Sequence, residues 1–148
     1  MRKYTYLVSL FTLLFGGVFL FSCEKADPEP PLSDQIAGNY TSDYYTAGTI
    51  KVALPATIGN TTATARITIT KNSDTDVKVV FIFNQTTDGI TQSSNSTVPS
   101  VSLSKNNAGE ITGSDVDGNS ITYSNDQVVV KLDDPDPSKV VVIHALRD

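Results

Sequence analysis

From about residue 36 onward, apolar residues recur at every second position and not at helical spacing. No window sustains the i, i+3, i+4, i+7 pattern of an amphipathic helix. Residues 63–71 show the alternation most plainly: Ala65, Ile67 and Ile69 fall on one face, Thr64, Arg66, Thr68 and Thr70 on the other. Residues 77–84 put Val77, Val79, Phe81 and Phe83 on one face, while Val80 and Ile82 make the second face apolar too. A strand of that kind is covered on both sides or meets a partner. Further strands are predicted at 38–46, 49–54 (stopped by Pro55), 110–116, 120–124, 127–132 and 139–146. Another, at 98–104, has an offset at Pro99 that suggests an edge or a bulge. The link 85–95 is polar, rich in Thr and Ser, and reads as a long solvated loop. On the first strand, Tyr40 and Tyr44 are expected to share a face, with Tyr45 pointing the other way.

The turns between these segments are short. Asn106-Asn107-Ala108-Gly109 and Asp117-Gly118 are hairpin signals, since Asp-Gly suits a two-residue turn that needs positive φ. Asn125-Asp126 leads into the next strand, and Asp133-Asp134-Pro135-Asp136-Pro137 makes a proline-fixed turn after it. About eight strands joined in this way give an all-β fold, an antiparallel up-and-down meander closing into a barrel. A β-sandwich of immunoglobulin type is the alternative; it would be Greek-key, and the chain has no Trp and a single Cys to supply that fold's buried Trp and Cys pair.

The first 23 residues break the pattern. Arg2 and Lys3 precede an apolar run over 7–21, interrupted only by Ser9, Thr12 and the Gly16-Gly17 pair, and the run leads to Leu20-Phe21-Ser22-Cys23. A basic start, an apolar middle and a small residue before the cut are the layout of a secretory signal. The run falls somewhat short of the roughly 20 apolar residues that cross a bilayer. Ordinary secretion would leave Cys23 as a lone thiol. The box Leu20, Phe21, Ser22, Cys23 resembles that of bacterial lipoproteins. The resemblance implies removal of residues 1–22 and acylation of Cys23, which becomes the mature N-terminus anchored in the outer membrane. It also accounts for the single cysteine, which excludes any disulfide within the chain.

Residues 24–31 hold three prolines and three acids and cannot build a packed element. Residues 23–34 therefore read as the lipidated cysteine and its tether, and 35–148 as one domain. Acids directly after the cysteine resemble the export signal of surface lipoproteins in the Bacteroidota; periplasmic and surface-exposed positions both stay open. Cleavage takes away Arg2 and Lys3 and no acid, moving the formal charge from −5 to −7. Phosphate contacts need clustered Lys and Arg, so nucleic acid is excluded as a partner. The membrane link rests on the acyl chains alone.

Ile36-Ala37-Gly38-Asn39-Tyr40, opening an all-β meander just after such a tether, resembles the small lipocalin-like lipoproteins of the Bacteroidota. Lipocalins and fatty-acid-binding proteins begin their barrel with Gly, any residue, Trp; here the triplet is Gly38, Asn39, Tyr40. A late Arg packs on that aromatic ring in those families, and Arg147 stands at the matching place. The resemblance implies a barrel whose inward residues Tyr40, Ile67, Ile69, Val79, Phe81 and Phe83 line a modest apolar pocket. Against a pocket, eight short strands can fill their interior with side chains.

Catalytic and metal chemistry find little to work with. His144 is the one histidine, expected to share a face with Val140 and Val142, and reads as a hydrogen-bonded strand residue. Asp115, Asp117, Asn119 and Asp126 have a partial calcium-loop spacing, but Ser120 stands where an EF-hand needs Gly and Asp126 where it needs Glu. Asp133, Asp134 and Asp136 form a solvated turn. Four Asn-x-Ser/Thr triplets, at Asn39, Asn60, Asn84 and Asn95, are chance matches in a chain rich in Asn and Thr. Tyr40, Tyr44 and Tyr45 read as barrel lining plus a surface ring, with a glycan or partner contact as the functional alternative. No catalytic residue, metal site or cofactor is assigned. The expected function is binding of a small apolar ligand or envelope component, with a structural or protein-interaction module as the alternative.

Overall fold

The alternating segments fold as ten strands in a computed structural model, which describes residues 28–148. The signal segment, the box Leu20–Cys23 and residues 24–27 lie outside the described residues. A short helix α1 (Leu32–Ile36) precedes β1 (Gly38–Ala47), β2 (Ile50–Ala53), β3 (Ala56–Ile58), β4 (Thr61–Ser73) and β5 (Asp76–Thr87). Then follow β6 (Ile90–Lys105), β7 (Ile111–Ser114), β8 (Ser120–Ser124), β9 (Gln127–Leu132) and β10 (Val141–Arg147). Antiparallel pairing runs from β1 through β10, β9, β8, β7, β6 and β5 to β4, and β4 pairs back onto β1. The result is a closed eight-stranded antiparallel barrel, which excludes the sandwich. Only the first half of β1 makes the closing contact, Gly38 to Thr41 against Ile69 to Arg66. Beyond it β1 pairs with β2, and β4 pairs with β3, so the two walls part toward one end.

The ends of the barrel differ. At the base lie α1, the 105–111 turn, Asn125-Asp126 and the C-terminus; at the mouth lie the tips at 48–49, 59–60, 88–89, 115–119 and 133–140. The chain enters at the base, where Glu29 pairs with Lys105 and the Ser33 N–H donates to the Asp74 carbonyl. Helix α1 thus begins inside the segment read as tether, because Ile36 is buried and has a core to join. Inward side chains from every barrel strand fill the lower interior: Tyr40, Ile67, Ile69, Val79, Phe81, Val101, Ile111, Ile121, Val130 and Ile143 are all 3% exposed or less. Gly113 is required by this packing. A Cβ there would stand 2.8 Å from the Ser102 carbonyl oxygen and 2.9 Å from Val101 and Leu103 side-chain carbons.

Two sequence expectations are corrected. The 85–95 segment is not a loop: β5 runs on to Thr87, Asp88-Gly89 turns, and β6 returns in register from Ile90. Asp88 and Gly89 have φ of 49° and 81°, the geometry of a two-residue hairpin. Second, Tyr44 and Tyr45 exchange faces. A register shift between Ser42 and Tyr44 makes Asp43 a bulge, so Tyr45 joins Tyr40 against the core and Tyr44 turns outward. The bulge at Pro99 is present: three residue steps from Val98 to Val101 oppose two from Val79 to Val77.

Phe81 is packed core, so Phe81→Ala is expected to cost about 3–5 kcal/mol in denaturant unfolding. Phe83, half-buried two residues nearer the mouth, is expected to cost less than half as much when cut to Ala.

Candidate functional site

Two clusters were open to a functional reading: one at the base around Arg147, the other at the mouth around Phe83.

At the base, the Arg147 guanidinium ties both chain ends together. Its Nη2 donates to the Gln35 carbonyl (2.5 Å), the Tyr40 hydroxyl (2.9 Å) and the Tyr123 hydroxyl (3.2 Å), and Nη1 donates to the Ala37 carbonyl (3.1 Å). Its central carbon lies 5.3 Å from the Tyr40 ring centroid and 5.4 Å from that of Tyr123, within cation–π range. The two rings meet edge to face at 6.5 Å. The Tyr40 hydroxyl donates to the Ile36 carbonyl at 2.6 Å, which holds the end of α1 against the barrel floor. Gly38 supplies the φ of 155° that the chain takes beside this pair, a conformation side-chain-bearing residues rarely adopt. The Tyr40–Arg147 pair expected from the sequence is therefore present. Its carbonyl and hydroxyl acceptors lie within the chain, so it closes the base and offers no site.

Above Phe81 the interior opens. An open cleft of about 430 Å³ is lined by Ala63, Phe83, Asn84, Gln85, Gln92, Ser93 and Ser94. Of the residues expected to line a pocket, Phe83 alone borders it; Tyr40, Ile67, Ile69, Val79 and Phe81 are buried in the packing below. The strand register explains the rest of the mouth. Ile58, Thr61, Thr87 and Ile90 form one cross-strand row on the inward side of the β3–β6 wall, and Ala56, Ala63, Gln85 and Gln92 form the next. Across the mouth, Ile50 sits opposite Ala47, two residues beyond the inward Tyr45. Ile50, Ile58 and Ile90 are 66%, 84% and 71% exposed although each belongs to an inward row. Sequence reasoning missed all three because they fall at strand ends, where no alternation remains to be read. The Asp88-Gly89 pair was the signal that would have revealed Ile90.

The other candidates separate. His144 lies on the outer face, its Nδ1 2.6 Å from Asp43 Oδ1 and its ring stacked on Tyr44 at 4.8 Å. Lys51 Nζ covers the other face of Tyr44 at 3.5 Å, so this tyrosine has no free face for a glycan. Asp115 Oδ1 accepts from the Asp117 and Asn119 N–H groups at the mouth, while Asp126 lies at the base beside Tyr123. The partial calcium spacing is thus pulled to opposite ends of β8. Among the described residues, no group of three or more His, Cys, Asp or Glu side chains is placed to hold a metal ion. No helix among them is long and apolar enough to cross a membrane.

No family model matches this chain, and no curated protein matches it significantly.

Burial pushes the Tyr40 phenol up to about 12, opposed by the nearby Arg147 charge. An unfolded tyrosine titrates near 10. Between these values the folded chain keeps a proton that the unfolded chain has lost, so stability falls as pH rises from about 10 to 12. Urea unfolding across that range should show wild type losing up to about 1.4 kcal/mol per pH unit more than Tyr40→Phe.

Proposed function

We propose that this chain is a bacterial envelope lipoprotein, anchored in the outer membrane through acylated Cys23, whose barrel is a non-catalytic binding module. It takes a small apolar ligand or an apolar part of an envelope component at its open mouth. The observation that carries this reading is the cleft beside Phe83 and the adjoining hollow that shares Gln85 and Gln92 with it and exposes Ile90, at the end of the barrel where Ile50 and Ile58 also stand water-exposed on inward rows. Single exposed apolar residues are ordinary, whereas apolar side chains set in a concave surface suit a ligand. The cleft volume falls in the range of small-molecule sites. It is open, so a ligand there is only part covered and the affinity is modest. The tether supports the same reading, because it joins at the base and leaves the mouth clear. A lipocalin-like ancestry fits the Gly38-Asn39-Tyr40 opening and the Arg147 partner.

A non-catalytic role fits the lone imidazole. His144 spends Nδ1 on Asp43 and a ring face on Tyr44, and no described hydroxyl or thiol hydrogen-bonds to it. A nucleophile needs a base within hydrogen-bond reach.

The test is titration of the full chain in mild detergent with a neutral apolar dye such as N-phenyl-1-naphthylamine, beside native mass spectrometry of protein from its own envelope. Phe83→Gln is expected to weaken dye binding about tenfold, the equivalent of about 1.4 kcal/mol. Ile82→Gln, on the opposite face of the same strand, should leave it unchanged. Absence of saturable binding together with a bare mass, or equal weakening by both variants, would refute the reading.

A further inference from the structure

The two walls of the barrel differ in height, and the taller one ends in an open edge. Strand β6 pairs with β5 along nearly all its length, but with β7 only from Ser102 to Lys105. The other edge of residues 90–97 has no strand beside it among the described residues, and all eight are exposed on both faces. Free edges usually carry guards: Lys, Pro, inward charges or a covering segment. Here residues 89–104 hold no charged side chain, and the first proline is Pro99. The uncharged stretch is notable in a mature chain of net charge −7. When two copies approach, this edge opposes no like charges and brings Thr, Gln, Ser and Asn against their own kind, which hydrogen-bond across strands.

The geometry points to a second copy of this chain as the occupant, with residues 90–97 of both copies pairing antiparallel about a two-fold axis. The axis of an antiparallel pair stands perpendicular to the sheet, so inward rows meet inward rows and the axis passes through Ser93 or Ser94. Both residues border the cleft. On the binding reading above, the partner's strand walls the cleft's open side, and the site is incomplete in a single copy. The two bases then point in opposite directions along the strands. Beyond Glu29, which is held at the base, residues 23–28 of each copy can span up to about 20 Å, so both anchors reach one membrane when the barrels lie along it. Membrane tethering also raises the effective concentration of one edge for another.

The pairing is tested with the full chain in its own membrane by single cysteine substitutions at each of positions 91–97, with the unsubstituted chain as control. Residues opposite each other across antiparallel strands have Cα atoms about 4.5–5.5 Å apart, inside the range that a disulfide spans. Two residues from the axis, identical positions are already about 13 Å apart. Oxidation is expected to give a disulfide dimer peaking at Ser93→Cys or Ser94→Cys and several-fold weaker at Thr91→Cys and Thr97→Cys. Adding Asn95→Lys to the peak variant should abolish the dimer by placing a charge in the edge. Equal yields along the strand, no dimer at any position, or a dimer indifferent to Asn95→Lys would overturn the inference. None of these outcomes depends on dye binding, so the two readings fail separately.

Discussion

The barrel depends on the Arg147 guanidinium, which joins the chain's first strand to its last. A meander closes only if its terminal strands meet, and here the seam is short: β1 holds β4 over four residue pairs before turning to β2. Backbone pairing over so few residues is a weak clasp. Arg147 secures the other side of β1: from β10 it donates to two carbonyls at the end of α1 and to the hydroxyls of Tyr40 and Tyr123, which holds β1 in place to meet β4. Arg suits this place, since its planar fork reaches several acceptors at once while its face lies over aromatic rings. The position is costly to build. Burial suppresses ionisation of the Tyr40 phenol although the Arg147 charge opposes it, and Gly38 beside the pair takes a φ of 155° that side-chain-bearing residues rarely adopt.

Closing the base tightly leaves the mouth free to differ. Strands β7 to β10 are four to seven residues long, whereas β4, β5 and β6 run to 13, 12 and 16. The surplus length has no opposite wall, so its inward rows cannot be buried within one chain. The composition follows suit on β4 to β6: below Phe81 the inward positions are Ile, Val and Leu, and above it, past Phe83, they become Ala, Thr, Gln and Ser with isoleucines at the rim. Buried apolar surface holds the base, and backbone hydrogen bonds carry the extension.

This change of composition also explains what could be read from the sequence. Strands 63–71 and 127–132 were legible because one face is apolar and the other polar, and the Pro99 offset was legible because proline cannot donate to a ladder. The continuation of β5 and β6 was not, because Thr, Ser, Asn and Gln on both faces carry no period. Asp88-Gly89 held the information, in the same form as Asp117-Gly118, but without flanking alternation it read as loop chemistry. The exchange of Tyr44 and Tyr45 is of another kind. A bulge is one extra residue, and nothing about Asp43 distinguishes it until its carboxylate is seen with His144. At the base, the resemblance of Gly38-Asn39-Tyr40 to a lipocalin opening implied the Tyr40–Arg147 pair, whereas the mouth residues Ile50, Ile58 and Ile90 depend on strand register.

The charge distribution separates the two ends as well. Glu29, Asp34, Asp74, Asp126 and Asp148 gather near the base, each with a basic partner: Lys105, Lys71 (shared by Asp34 and Asp74), Arg147 and Arg66. The tall wall has Arg66 low on β4 and Asp88 at its tip, and little charge between. Exposed ion pairs add little stability, so the base charges serve mainly to keep an acidic chain soluble and apart from its neighbours. An uncharged, unguarded edge does the reverse, because it lowers the barrier to strand addition while the rest of the surface raises it. The extended wall therefore carries Ile58, Ile90 and the long unpaired edge of residues 90–97, while Ile50 faces it from β2 across the mouth.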